Sequence, residues 1–184
     1  MLRAVGQTPV TTITASSPRA VLLAQAEWQA AMKEIQTMGW HWNSLLTISN
    51  EPHEVTSHIS IPSEYLAVDV DPNGCDRDRD IVKVSDILFD RENDTDEFSS
   101  TLELLAIIER PIEEIPEAFY QWMVKRATRR FHAATHGDPT RDRELRADEE
   151  EARAAARADE MRTRDGNSLK RKMATLRRTH KYNY

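Results

Sequence analysis

His132 and His136 lie four residues apart in "HAATH", a spacing that could hold a metal ion. On a helix, this spacing places both imidazoles on one face. Zinc hydrolases of the His-Glu-x-x-His type need a glutamate directly after the first histidine as general base, and Ala133 stands there. Cationic histidines also suit the carboxyl end of a helix, which Gly137 would close. We therefore expect a surface or interface pair and no metal site.

The segment "DVDPNGCDRDRD", residues 69–80, spaces its carboxylates in a way similar to a calcium-binding loop. Asp69 opens the segment and Asp80 falls on its twelfth position, where an EF-hand loop carries glutamate. Pro72 and Arg77 are out of place in such a loop, and the flanking patterns predict strands rather than helices. Asp-Pro-Asn-Gly is also an ordinary β-turn sequence. We expect a hairpin turn, with calcium binding as the alternative.

The stretch "MGWHWN", residues 38–43, brackets a histidine with two tryptophans and raises the possibility of an aromatic or metal site. In a strand after Gly39, Trp40 and Trp42 would point to one side of a sheet and His41 to the other, so the rings would not enclose the histidine. Packing of the strand region onto the helices is the better explanation. The predicted structural core comprises these two tryptophans and three more aromatic residues: Trp28, Phe119 and Phe131.

Catalytic motifs are missing from the rest of the sequence. The chain has five glycines and no glycine-rich phosphate loop. Its single cysteine, Cys75, excludes a disulfide or a cysteine-based zinc site within one chain and fits folding in a reducing cytoplasm. No carboxylate stands in an apolar context that would raise its pKa. We therefore expect no enzyme, no cofactor and no metal.

The composition is that of a folded protein with a large polar surface. Of 184 residues, 30% are charged and 39% are hydrophobic, and the net charge is −6. This acidity argues against a general nucleic-acid binder. No apolar run approaches the length of a membrane span, and "MLRAVGQTPV" lacks the apolar region of a secretory signal.

Helical patterns enclose a region of strand patterns. A helix is expected from Ser17 and Pro18, which suit its N-cap and first position, to Gly39. Its apolar stripe contains Val21, Ala24, Trp28, Ala31, Met32, Ile35 and Met38. From Trp40 to Glu109 the apolar residues alternate instead, which predicts short antiparallel strands.

A second helix is expected from Pro116 to Gly137. One of its sides is basic and carries a tryptophan, which needs cover from another part of the fold or from a neighbouring molecule. We assign this side to an inter-subunit interface made of Trp122, Lys125, Arg126, Arg129 and Arg130.

A third helix, capped by Asp138 and Pro139, has few apolar residues and is expected to be solvated or to bridge subunits. Residues 168–184 then reverse the charge, with six Lys/Arg and no acid. If this arm is helical, its three large aliphatic side chains share one face, a pattern typical of docking on a protein groove with acidic rims. The alternative is nucleic-acid binding. The predicted docking residues are Leu169, Lys170, Arg171, Lys172, Met173, Leu176, Arg177, Arg178 and Lys181.

Together these patterns predict an α+β fold: a helical bundle with an inserted antiparallel β module and an extended basic C-terminal arm. The expected boundaries are 1–39 and 111–167 for the helical domain, 40–110 for the β module and 168–184 for the arm.

A series of motifs, taken in order, is more specific than any one of them. The first three are "LRAVGQTPVTTI", "MGWHWN" with a Gly-Trp-x-aromatic-Asn pattern, and "IPSEYLAVDV" with a Pro-x-x-Tyr-Leu pattern. They are followed by "LFDREN", by "EEIPEAFYQWMVKRATRRFHAATHG" and by "EEEARAAARADEM" with "DGN" beyond it. This series resembles the tail tubular protein A family of short-tailed bacteriophages, over residues 2–167.

The resemblance implies a structural virion protein, the adaptor or gatekeeper ring between portal and tail nozzle. It further implies a dodecameric ring on a dodecameric portal, a nozzle ring of the tail tubular protein B type below it, and tail fibres near that junction. Genome DNA would pass through the channel without specific binding. The expected location is the virion tail, after assembly in the host cytoplasm. The basic arm would dock on the portal, and the alternative is a small nucleic-acid-binding protein that uses this arm.

Overall fold

The computed structural model describes residues 12–14, 17–71 and 79–179, with their side chains except at positions 46, 47 and 164–179. Within these residues lie three α-helices and five strands in antiparallel sheets. The predicted α+β class is confirmed. "LRAVG" and the Asp-Pro-Asn-Gly turn lie outside the described residues.

The first helix, α1, spans Arg19–Thr37 and buries most of the predicted apolar stripe. Spacings of three, four and seven residues place its most buried side chains on one side. Each of these is at most 5% exposed: Val21, Ala24, Ala31 and Ile35. Met38, expected on the same stripe, is 50% exposed because it follows the last helical residue. Gly39 ends the helix with a φ of +73°, a backbone conformation that favours glycine.

The five strands form two antiparallel sheets. The strands are β1 (Ser44–Asn50), β2 (Tyr65–Val70), β3 (Ile81–Val84), β4 (Ile87–Asp90) and β5 (Leu102–Ile108). The larger sheet has the order β1-β5-β2, so the last strand in sequence lies at its centre, and β3 pairs with β4.

Strand β5 follows the predicted alternation along its whole length. Leu102, Leu104, Ala106 and Ile108 are at most 8% exposed, whereas the residues between them are exposed or half-buried. The core that packs on this buried face includes Ile59, Ile61, Val70, Ile81, Leu88 and Phe98. The opposite face of the larger sheet presents Leu105 and Ile107, both half-buried.

Two further helices follow a short 3-10 helix at Ile112–Glu114. They are α2 (Glu117–Thr135) and α3 (Pro139–Thr179). The segment Lys33–Glu114 forms one compact unit, and the described residues before and after it form a second. Helix α1 therefore contributes residues to both units.

Candidate interaction surfaces

The "MGWHWN" segment forms a turn and not the start of a strand. Residues 41–43 are a hydrogen-bonded turn, and β1 begins only at Ser44. The amides of Asn43 and Ser44 both donate to the carbonyl of Trp40, at 3.1 and 2.9 Å. The prediction of a strand with Trp40 and Trp42 on one side was therefore wrong. The turn forms because Gly39 reverses the chain and Asn43 closes it.

Asn43 is the centre of this turn and is fully buried. Its Oδ1 accepts a hydrogen bond from Trp40 N at 2.7 Å. Its Nδ2 donates to the carbonyl of Gln36 at 2.8 Å and to the carbonyl of Ile108 at 3.3 Å. One amide side chain thus links the end of α1, the turn and the end of β5.

Gln36 makes a second link of the same kind, also at 0% exposure. Its Oε1 accepts from Arg110 N at 2.7 Å, and its Nε2 donates to the carbonyl of Arg110 at 3.1 Å. Sequence reasoning missed both amides. They could have been found by looking for polar residues within apolar segments, because such a residue needs a hydrogen-bond partner once it is buried.

The five predicted core aromatics differ in burial. Phe119 and Phe131 are fully buried in α2. The three tryptophans are half-buried: Trp28 packs edge-to-face against Tyr120 at 5.7 Å between ring centroids, and Trp40 Nε1 donates to the carbonyl of Ile35 at 2.7 Å. The last turn of α1 thus holds the Trp40 ring by a specific hydrogen bond.

Trp122 is only 1% exposed, because α3 covers it within the same chain. The guanidinium of Arg153 lies over its ring, 5.8 Å from the centroid, which is a cation–π contact. The sequence left two sources of cover for this tryptophan, another part of the fold or a neighbouring molecule, and α3 is the one that the fold provides. The burial of Trp122 therefore gives no support to its inter-subunit role, which remains a prediction.

The cations around Trp122 are paired inside the chain as well. Lys125 contacts Asp148 at 2.8 Å, and Arg130 contacts Glu27 of α1 at 2.7 Å. Arg126 and Arg129 both bind Glu149, at 2.6 and 3.2 Å. An inter-subunit role of the four cations remains a prediction.

Arg129 also binds Asp142, at 3.1 Å. The hydrogen bond to Asp142 raises the pKa of the Arg129 guanidinium. Burial lowers this pKa, and the hydrogen bond to Glu149 raises it further.

The order of these contacts shows the relative direction of the two helices. Arg126 binds Glu149, whereas Arg129, which comes later in α2, also binds Asp142, which comes earlier in α3. Helices α2 and α3 therefore form an antiparallel hairpin.

The hairpin explains why α3 has so few apolar residues. Its inward stripe recurs every three or four residues and is partly acidic: Asp142, Leu145, Glu149, Ala152 and Ala156. Opposite it, α2 presents arginine and lysine. Helix α3 is therefore docked along α2 by complementary charge and is not simply solvated. Met161, one of these few apolar residues, is 62% exposed.

The "HAATH" pair lies at the end of α2, with its rings stacked 5.7 Å apart and only 10° from parallel. His132 is 4% exposed, so it is not the surface residue that the sequence suggested, whereas His136 is exposed. His136 Nδ1 lies 2.9 Å from Thr135 Oγ1. Gly137, with a φ of +66°, then ends the helix.

Strands β2 and β3 lie on either side of the aspartate-rich segment, but in the described residues β2 pairs with β5 and β3 pairs with β4. The expected hairpin across this segment was therefore wrong, because its two flanking strands belong to different sheets. Asp69 lies in β2, and its Oδ1 accepts from Val70 N at 2.8 Å. Asp80 pairs with Arg91 at 3.6 Å instead of pointing at a cluster of carboxylates. Residues 72–78 lie outside the described part. Among the residues that the structure describes, no three His, Cys, Asp or Glu side chains are grouped to hold a metal ion.

Asp90 builds a tight turn at the end of β4, within "LFDREN". It is 1% exposed, and its Oδ1 accepts from the amides of Glu92 and Asn93, both at 3.0 Å. Its Oδ2 accepts from Asn93 Nδ2 at 2.8 Å. Burial raises the pKa of the Asp90 carboxyl, but these hydrogen bonds outweigh it and hold the pKa below its ordinary value.

The predicted arm falls mostly outside what the structure describes. The backbone of α3 continues to Thr179, so the helix extends into the predicted arm, residues 168–184. The side chains of the predicted docking residues from Leu169 to Arg178, and Lys181 altogether, lie outside the described part. Their assignment to docking remains a prediction.

The comparisons with known proteins point to one family. In the described part of the chain, no helix has the length and apolar character needed to cross a membrane. No curated protein matches the chain in sequence. A family model described as tail tubular protein matches residues 1–166, which include all of the unit Lys33–Glu114 and most of the other unit. The chain therefore belongs to the tail tubular protein family and is a structural component of the bacteriophage virion tail.

Proposed function

We propose that this chain is a head-to-tail adaptor, a ring protein that joins the portal to the tail nozzle and forms part of the DNA ejection channel. The observation that carries the proposal is the family match over residues 1–166. Within that range, "MGWHWN" and the α2 segment resemble the adaptor members of the family, the tail tubular A proteins. The turn explains why the first of these motifs contains Asn43, since the side chain of Asn43 holds that turn together.

A ring of identical copies, dodecameric in this proposal, needs two different lateral surfaces on each protomer. Trp122 is buried against α3, so in this proposal it stabilises the hairpin that carries such a surface and does not itself contact the second copy. The cations beside it are better placed to reach a second copy. Their side chains remain 29–42% exposed while acidic partners hold them in position: Lys125, Arg126, Arg129 and Arg130.

Acidity supports the channel part of the proposal. The net charge is −6, and residues 64–97 alone carry 12 acidic and 4 basic side chains. Like charge removes the counterion release that drives binding to phosphates, so DNA can slide past without being held. In this proposal the protein works by shape and contact, with no catalysis, cofactor or metal.

The remaining partners follow from the adaptor position. The basic arm, residues 168–184, docks on the portal, where its positive charge and aliphatic residues fit a groove with acidic rims. The opposite end of the ring meets a nozzle protein of the tail tubular protein B type. Tail fibres attach near that junction.

Co-sedimentation with the portal ring of the same phage tests the proposal, with and without residues 168–184. Saturable binding of the full chain is expected, with loss on truncation if the arm docks there. Binding that survives truncation keeps the adaptor function and moves docking to the helices. If the chain did not bind the portal but bound DNA, with an affinity that falls steeply as the salt concentration rises, it would be a nucleic-acid-binding protein instead.

One variant separates these two uses of the arm. Changing Leu169, Met173 and Leu176 to serine leaves all six positive charges in place. Docking in a protein groove should be lost with this variant, whereas phosphate binding should persist because it depends on the charges.

A further inference from the structure

The face of the larger sheet opposite the core carries an open groove. Its volume is about 380 Å³, and all three strands line it: Ser44 from β1, which lies opposite Ile107, Ala67 and Asp69 from β2, and Leu105 and Ile107 from β5. Such a volume lies in the range of sites that bind other molecules. The groove belongs entirely to the unit Lys33–Glu114.

Strand register gives this groove an apolar floor and an acidic end. Ala67 lies opposite Ile107, and Asp69 lies opposite Leu105. Glu103 precedes Leu105 by two positions and therefore points to the same side of the sheet. Asp69 and Glu103 are both exposed. A ligand of this groove needs aliphatic side chains for the floor and positive charge for the acidic end.

We propose that the groove binds residues 168–184 of a second copy of this chain. This segment carries six Lys/Arg and no acid, and Leu169, Met173 and Leu176 recur at helical spacing. A helix is about 10–12 Å across, and three strands spaced about 4.8 Å apart offer a floor of matching width. The aliphatic face of the helix lies on Leu105 and Ile107, and its lysines and arginines reach Asp69 and Glu103.

Helix α3 is longer than the helix with which it forms the hairpin. It has 41 residues, whereas α2 has 19. Because the two helices are antiparallel, the backbone of α3 continues past the start of α2 and ends at Thr179. In this proposal, that end of the chain reaches a second copy.

Another exposed apolar side chain of the same unit, Val55, fits the groove less well. Val55 is 85% exposed in a turn, but Glu51 and Glu54 closely precede it. Their negative charges would meet Asp69 and Glu103 in the groove. Charge complementarity therefore favours the basic arm.

The contact joins an arm on one copy to a groove on the next, so it is heterologous and can propagate around a closed ring. It does not depend on the portal, because both partners are copies of this chain. The contact of the arm with the groove and the contact of the arm with the portal are two separate proposals for the same segment. An experiment can contradict either one without contradicting the other.

Disulfide trapping between two populations of the full chain tests the contact. Both populations carry Cys75→Ser; one also carries Ala67→Cys in the groove, and the other, marked with a tag, carries Met173→Cys in the arm. Only a contact between copies can join the tagged and untagged chains. Val55→Cys, exposed in the same unit, replaces Ala67→Cys in the control.

Tagged–untagged dimers should form about tenfold faster with Ala67→Cys than with Val55→Cys, because docking raises the local concentration of the arm cysteine. Adding Asp69→Lys to the groove copy, or raising the salt, should slow trapping several-fold. Equal rates for the two cysteines would overturn the inference, even if the full chain still sediments with the portal. Portal binding lost with trapping retained would overturn the portal contact alone.

Discussion

Asn43 and Gln36 join the strand region to the end of α1, a role that the sequence had assigned to the neighbouring tryptophans. Both amides are fully buried, and between them they bind the end of α1, the turn after it and the end of β5. Trp40 and Trp42 are only half-buried beside them. At the residue scale, the geometry of "MGWHWN" is therefore fixed by hydrogen bonds that few other side chains could make.

Replacing Asn43 with alanine should lower the free energy of unfolding by about 2–4 kcal/mol, because three hydrogen bonds are lost and buried backbone groups are left without partners. Chemical denaturation of the purified protein measures this. Asn50→Ala is the matched control, since Asn50 bonds only locally, to the carbonyl of Ile48. Equal losses for the two variants would refute the role of Asn43.

Asp90 gives the molecule a predictable response to acid. Its pKa is lower in the folded state than the ordinary value of 3.8, so its stabilising effect is present above that value and disappears as the pH falls through the folded pKa. Asp90→Asn should cost about 2 kcal/mol at neutral pH and should flatten the loss of stability below the ordinary pKa.

Denaturation curves from neutral to acidic pH measure that slope. Asp94→Asn is the matched control, because Asp94 is exposed and lies in the same turn. If Asp90→Asn and the unaltered chain lost stability in parallel below the ordinary pKa, Asp90 would not be the acid-sensitive group.

Among the elements, the α2–α3 hairpin is joined by complementary charge as well as by apolar contact. Glu149 is 6% exposed and binds both Arg126 and Arg129. Because the two arginines are about one-third exposed, water screens part of their attraction. The pair therefore stabilises the hairpin less than a fully buried one would.

Glu149→Gln should destabilise the folded chain by about 1–3 kcal/mol, since two arginines lose a shared carboxylate. The neighbouring Glu150 is exposed and pairs with Arg146 one turn away, so Glu150→Gln should change stability by less than about 0.5 kcal/mol. Thermal unfolding of both variants decides this. An equal effect of the two changes would show that the hairpin does not rely on Glu149.

The elements also show what local sequence can predict. The alternation in β5 and the stripe in α1 are local periodicities, and both were predicted to within a residue or two. The docking of α3 was not, because its charges also fit pairs along one helix, and only the fold brings Asp142 and Glu149 beside α2. The source of cover for Trp122 could not be chosen from the sequence for the same reason: Arg153, which lies over its ring, is distant in sequence.

For the whole molecule, charge is divided unevenly along the chain. Residues 64–97 are strongly acidic, whereas residues 168–184 carry six positive charges and no acid. A chain with both features can bind copies of itself and other acidic partners through one end. The separation predicts that the basic end serves assembly and contributes little to folding.

Deleting residues 168–184 tests this separation. The deletion removes six positive charges from a chain of net charge −6 and leaves −12, so self-repulsion increases slightly. The buried residues of the described part of α3 all precede Met161, and we therefore expect the melting temperature to fall by no more than about 3 °C. Calorimetry at moderate salt measures this.

A chain that ends at Ala152 is the contrasting truncation, because it loses the contact of Arg153 with Trp122 and the buried Ala156. Uncovering a buried tryptophan at the hairpin should cost several kcal/mol, on the order of 3, and should lower the melting temperature by about 10 °C or more. Assembly should fail in both truncations, but only the shorter chain should unfold early. If deletion of 168–184 destabilised the chain as much, the arm would be part of the fold and not an arm.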